Sequence, residues 1–219
     1  MGTYNLSGKT VLVTGGETGI GRAIALRALA DGANVAAAGI NTEMLEETTT
    51  LARDIGPAER MLALQVDIRE VDQVQKMVDD TVEKFGRLDA VVANAGVMVM
   101  RRPFIELTHD EWHNVVAVNL HGTFHTLQAA TRVLKAQGDG GDLLVTTSSN
   151  AVRAGPMASA YVATKGAIQH MVRALAVELA PDMIRVNAIV PGLTLTPGTM
   201  SREGHIERSK PNIPMGEVT

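Results

Sequence analysis

Cysteine is absent from this 219-residue chain, which excludes disulfides, thiolate catalysis and thiolate metal sites. Aromatic residues are scarce at 3%, so the core has to be built mainly from Ala, Val, Leu, Ile and Met. Neither sign of charge dominates: the formal charge is −4, and the only adjacent basic pair is Arg101-Arg102. No stripe of positive charge is available for phosphates, so no nucleic-acid partner is expected. Long apolar runs are missing too. The longest, Ala90 to Met100, is interrupted by Asn94 and is too short to cross a bilayer. Met1-Gly2-Thr3-Tyr4-Asn5 lacks a basic region followed by an apolar one, so no secretory signal is expected. A soluble cytoplasmic protein with no membrane partner is the expectation.

What is present is alternation. Short apolar runs at Thr10–Thr14, Asn34–Ala38, Met61–Val66, Ala90–Ala93, Asp142–Thr147 and Arg185–Val190 read as buried strands. Between them, apolar residues recur at helical spacing, as in Val71, Val74, Met77 and Val78. Strands apolar on both faces and separated by helices imply a parallel sheet covered on both sides. Right-handed crossovers then give an α/β, Rossmann-like doubly wound parallel sheet with helices on both faces. No linker interrupts the pattern, so residues 1–219 are expected to form one domain. Thr108-His109-Asp110-Glu111 fits a capping box at a helix start.

Gly15, Gly19 and Gly21 follow the first strand and open the first helix. Glycines there let the backbone approach a pyrophosphate, and the helix N-terminus supplies free amides. A plain tight turn is the alternative, but the position at the first strand favours nucleotide binding. Asp67, after the third strand, either accepts a hydrogen bond from adenine or opens the next helix. Asn94-Ala95-Gly96 ends the fourth strand at the edge where ligands collect. Asn94 either contacts the ligand or caps loose backbone groups.

Tyr161 and Lys165 are one helical turn apart on one face. A free phenol, with a pKa near 10, is a poor acid–base catalyst at neutral pH. A neighbouring ammonium favours the phenolate. Ser148, thirteen residues before the tyrosine and at the end of a strand, puts a hydroxyl within reach of a substrate oxygen.

Taken in order, Thr14-Gly-x-x-x-Gly-Ile-Gly21, Asp67, Asn94-Ala-Gly96, Val118-Asn119, Ser148, Tyr161-x-x-x-Lys165 and Pro191-Gly192 with Thr196 resemble the short-chain dehydrogenase/reductase family. The resemblance covers essentially the whole chain. It implies an NAD(P)-dependent oxidoreductase interconverting an alcohol and a ketone or aldehyde, and a homotetramer or dimer. Tyr161 would be the proton donor or acceptor, and Ser148 would hydrogen-bond the substrate oxygen. Lys165 would hold the nicotinamide ribose beside Tyr161, and Asn119 would keep a water in a proton relay ending at Lys165. Gly15, Gly19, Ile20, Gly21, Asp67, Asn94, Ala95, Gly96, Pro191 and Gly192 would line the cofactor. Thr194, by its main chain, and Thr196 would meet the carboxamide. Ser149 competes with Ser148; the thirteen-residue spacing favours Ser148.

No metal site is expected. His109 and His113 are spaced like a zinc-protease pair, but Asp110 stands where that motif needs glutamate, and capping already explains Glu111. An acid ending the second strand would select NAD and a base NADP; Gly39-Ile40-Asn41 offers neither. Thr18 replaces the arginine or lysine of many NADP-preferring relatives, and with no acid to repel a phosphate the balance leans slightly to NADP. Family members usually continue beyond Pro191-Gly192 into another helix and a seventh strand, which this chain lacks. The sixth-strand edge would then be exposed. Either the sequence is incomplete, the favoured reading, or the protein is a catalytically impaired nucleotide binder. Residues 196–214 would form a substrate lid.

Overall fold

Consecutive residues of the strands bury against opposite layers of helix, and this alternation builds two cores. Val11, Val13, Val35 and Ala37 pack with Ala25, Ala28 and Leu29 of one helix and Leu45 of the next. Their neighbours Leu12, Ala36, Val91, Leu143 and Val145 pack with helices on the other side, through Val74, Met77, Leu127, Leu134, Ile168 and Val172. The structure is a computed structural model that describes residues 4–98, 102–201, 204, 206–207, 210–216 and 218.

Among the described residues the strands are β1 Thr10–Thr14, β2 Asn34–Gly39, β3 Met61–Gln65, β4 Ala90–Ala93, β5 Gly141–Thr146 and β6 Ile184–Ile189. All six lie within a residue of the positions expected from apolar runs. They form one sheet in the order β3-β2-β1-β4-β5-β6, every pairing parallel. The helices are α1 Gly19–Ala30, α2 Thr42–Arg53, α3 Val71–Phe85, α4 His109–Val115, α5 Gly122–Gln137, α6 Ser159–Glu178 and the short α7 Pro197–Met200. α1 and α2 cover one face, and α3, α5 and α6 the other. This is a Rossmann-like doubly wound α/β fold. No helix among the described residues is long and apolar enough to cross a membrane.

Local chemistry explains the element ends. α3 buries Val74, Met77, Val78 and Thr81, a stripe at three- and four-residue spacing, and stops at Gly86, whose φ of 78° is left-handed. α4 starts at the expected capping box: Thr108 Oγ1 accepts from Glu111 N at 3.2 Å, and the Glu111 carboxylate accepts from Thr108 N at 3.1 Å.

For function the decisive feature is the reversal of strand order between β1 and β4. Crossovers leave β1 and β4 in opposite directions, which opens a crevice at their C-terminal ends. The Gly15 turn leaves β1 there, Asn94 leaves β4, and Ser148 follows β5 at the same edge of the sheet.

Candidate active site

The turn from β1 to α1 is held from below by β4. Asn94 Nδ2 donates to Thr14 O at 3.1 Å and Gly15 O at 3.3 Å, while Asn94 N and Ala95 N both donate to Thr14 Oγ1. The Asn94 side chain therefore caps backbone groups, one of the two roles expected for it. Gly15 has φ +65°, and a Cβ on it would lie 2.9 Å from Ala95 Cα. A Cβ on Gly21 would lie 2.0 Å from Gly15 O, so any other residue there pushes the turn apart. Thr18, the N-cap of α1, makes no side-chain cap, and the first turn carries no acid. The amides at this helix end are thus left for an anionic ligand. A close-packed glycine cradle opening on uncapped amides fits a dinucleotide pyrophosphate.

Beyond Asn94, Gly96 brings the β4 exit beside two polar groups: a Cβ there would be 3.2 Å from Asn119 Oδ1 and 3.5 Å from Lys165 Nζ. Asn119 lies in the π-helical turn Val116–His121, the only residue buried in that stretch. Single π turns inside α-helices are frequent at functional sites. Its Oδ1 accepts from Val97 N at 2.7 Å, and its Nδ2 donates to Val97 O at 2.9 Å and Thr164 Oγ1 at 3.3 Å. The Asn119 side chain thus clamps the backbone of the β4 exit.

Ser148 caps the 3-10 turn Ser149–Ala151, its Oγ accepting from Asn150 N at 3.1 Å. That turn packs on α6, which carries Tyr161 and Lys165. Ser148 is buried, whereas Ser149 is half-buried and donates its amide to Pro191 O at 3.0 Å. Lys165 is 4% exposed; its Nζ donates to Thr146 O at 2.8 Å and lies 5.7 Å from the centroid of the Tyr161 ring. Burial pushes the Lys165 pKa down from 10.5 to about 8, so at neutral pH the ammonium persists one turn from the phenol.

That shift has a stability consequence. The folded value lies below the unfolded one, so the unfolded chain binds more protons between about pH 8 and 10.5, and stability rises with pH there. Below about pH 8 the cost of burying the charge is fully present. Denaturant titrations of cofactor-free protein at pH 7 and pH 10 should show Lys165→Met lacking this rise. The difference expected from wild type is on the order of 2–3 kcal/mol. Parallel profiles for the two proteins would show that the ammonium is not desolvated.

The remaining expected residues follow β3 and β6 or lie at the start of α1. Asp67, after β3, accepts from Arg69 N at 3.0 Å, and the Arg69 guanidinium hydrogen-bonded to its carboxylate holds its pKa below the usual range. It is therefore charged and already paired. Pro191 and Gly192 follow β6, and Thr194 Oγ1 lies 3.5 Å from Gly192 O. Thr196 caps α7, with Oγ1 accepting from Thr199 N, and its side chain comes within 3.4 Å of where a Cβ on Gly19 would sit. Ile20 lies in the first turn of α1. Of the lid range 196–214, residues 202, 203, 205, 208 and 209 lie outside the described residues.

Three participants were not singled out from sequence. Thr146 supplies the carbonyl that anchors Lys165, Thr164 buttresses Asn119, and Glu17 turns its carboxylate onto the end of β2. The first two act through a backbone carbonyl and a common hydroxyl, which carry no motif. Glu17 did carry a signal: an acid inside a glycine turn, beside a strand that ends without one.

Comparison with known proteins agrees with this geometry. The family model described as short chain dehydrogenase matches residues 9–206. An uncharacterised NAD-dependent oxidoreductase of Mycobacterium tuberculosis is 38% identical over 88% of this chain and 74% of its own. A short-chain type dehydrogenase/reductase from Mycobacterium marinum superposes with a TM-score of 0.93 at 33% identity, over 98% of this chain and 84% of that one. Carveol dehydrogenase from Mycobacterium avium, solved in complex with NAD, gives 0.88 at 33% identity, over 96% of this chain and 79% of that one. This chain belongs to the short-chain dehydrogenase family of NAD(P)-dependent oxidoreductases.

Proposed function

We propose that this protein interconverts a small-molecule alcohol and the corresponding ketone or aldehyde, with Tyr161 as general acid and base. The observation that carries the reading is the buried Lys165 ammonium, 5.7 Å from the Tyr161 ring centroid and hydrogen-bonded to the end of β5, beside Gly96 at the β4 exit. Nicotinamide, when bound, supplies or accepts the hydride at the carbon bearing oxygen.

The chain's own residues handle the proton and the developing charge. In reduction, Tyr161 gives its hydroxyl proton to the substrate oxygen; in oxidation it takes that proton back. Lys165 keeps the phenol's proton mobile by favouring the phenolate, and holds the nicotinamide ribose. Ser148 donates a hydrogen bond to the same oxygen as negative charge grows there. Asn119 fixes the β4 exit against α6; because both its side-chain polar atoms have protein partners, a relay water would rest on its main chain. Gly15, Gly19, Ile20 and Gly21 hold the pyrophosphate. Asp67, Asn94, Ala95 and Gly96 border the adenosine and nicotinamide halves. Pro191, Gly192, Thr194 and Thr196 close the carboxamide end. Residues 196–214 would form the substrate lid, and Thr196 at its start approaches the glycine turn at Gly19.

The test is a panel of ketones and alcohols with NAD(H) and NADP(H), followed by nicotinamide absorbance. Turnover of at least one substrate class is expected. Cofactor binding without turnover across the panel would favour a nucleotide-binding protein that has lost its chemistry, and absence of binding would remove both readings.

A further inference from the structure

The C-terminal end of β2 is where a sheet of this class takes hold of the adenosine ribose, with an acidic side chain on the 2′- and 3′-hydroxyls. Here β2 ends in Gly39, and the acid arrives from elsewhere. Glu17, in the turn between β1 and α1, is 9% exposed and lays its carboxylate across the strand end. A Cβ on Gly39 would fall 2.1 Å from Glu17 Oε2 and 2.2 Å from Cδ, so the carboxylate occupies the space in which a side chain at position 39 would begin. Glu17 Oε1 accepts from Ile40 N at 3.3 Å, whereas Oε2 is buried and has no hydrogen-bond partner among the described residues.

We propose that Glu17 selects the cofactor: its carboxylate receives the adenosine ribose hydroxyls and repels a 2′-phosphate, so the protein prefers NAD(H) to NADP(H). The proposal rests on the reading that the glycine turn holds a dinucleotide. A vicinal diol offers the O–H donors that a buried, half-paired carboxylate lacks. A 2′-phosphate brings only acceptors and like charge to the same place, and that mismatch discriminates.

The cation closest in sequence is committed elsewhere. The Arg22 guanidinium donates to Glu17 O at 2.6 Å, to Thr48 Oγ1 at 2.9 Å and to Met44 O at 3.1 Å, and pairs with Glu47 at 2.8 Å. It therefore braces the turn that presents Glu17. The slight lean to NADP drawn from Gly39-Ile40-Asn41 is reversed, because the missing acid is restored from a residue 22 positions earlier in the chain.

The test is direct fluorescence titration of NADH and of NADPH against wild type, Glu17→Gln and the double variant Glu17→Ala/Gly39→Asp, each first checked for an unchanged thermal transition. Wild type should bind NADH at least about tenfold more tightly than NADPH, since like charges set together in a recognition site are strongly disfavoured. Glu17→Gln, isosteric and neutral, should bring the two affinities close together, chiefly by tightening NADPH. The double variant, with the clash at position 39 relieved, should restore the preference for NADH from the strand side. Equal loss of both cofactors in Glu17→Gln, or an unchanged ratio, would overturn the proposal, as would a wild type that prefers NADPH. Failure of wild type to bind either cofactor would instead overturn the dinucleotide reading beneath it.

Discussion

Tyr161→Phe is expected to lower kcat by about 10²–10⁴-fold, the usual share of a positioned general acid or base, while the cofactor dissociation constant stays near that of wild type. The substitution keeps the ring that faces Lys165 Nζ at 5.7 Å and removes only the hydroxyl. The Lys165 bond to Thr146 O does not involve that oxygen. Chemistry and binding should therefore separate. Initial rates by nicotinamide absorbance give the first quantity, and quenching of intrinsic fluorescence by the cofactor gives the second. A Tyr161→Phe enzyme that turns over like wild type would remove the tyrosine from the mechanism. One that loses cofactor affinity in proportion to rate would make it a binding residue instead.

The second large effect belongs to Gly21→Ala. A Cβ at this position would lie 2.0 Å from Gly15 O, 2.5 Å from Asn94 Nδ2 and 2.7 Å from the Gly15 carbonyl carbon. The closest of these atoms is backbone in a turn pinned to β4, so no flexible side chain can yield. Either the turn opens or α1 moves, and each breaks the cradle. Such overpacking costs typically about 1–3 kcal/mol, so the fold should survive with a lowered thermal transition. The cofactor should suffer more, because amides displaced by a fraction of an ångström no longer converge on one anion. A loss of affinity of at least about 100-fold is expected, an amount corresponding to two or three such contacts. Wild-type affinity in Gly21→Ala would show that the turn is only a tight turn.

Much of the candidate site is readable in sequence because its relations are local. Tyr161 and Lys165 share a helix face whatever surrounds them, since four residues make one turn. Gly15, Gly19 and Gly21 announce a tight glycine turn: a side chain at Gly15 or Gly21 would collide with its surroundings, and Gly19 holds a left-handed φ of 55°. The strands declare themselves by apolar residues on both faces, and the alternation with helices leaves few ways to order a parallel sheet. For the same reason the capping box at Thr108 appears where four consecutive residues place it.

Other relations are not local. Nothing in the residues around Asn119 names its partner, yet its side chain turns in to Val97, 22 residues away. Asn94 could face a ligand or the backbone, and its contacts with Thr14 and Gly15 come from pairing β4 beside β1. Lys165 meets the carbonyl of Thr146 only because β5 ends under α6. None of these partners has a spacing that a pattern could recognise.

By itself, then, the order of residues determined the parallel α/β sheet, the glycine turn opening a helix, and a phenol and an amine on one helical face; each follows from steric limits acting over a few residues. Tertiary structure alone decided which backbone groups Asn94, Asn119 and Lys165 would hold, and brought the Glu17 carboxylate onto the bare end of β2. Those outcomes depend on strands adjacent in the sheet but distant in the chain, where the burial of side chains, not their spacing, chooses the partner.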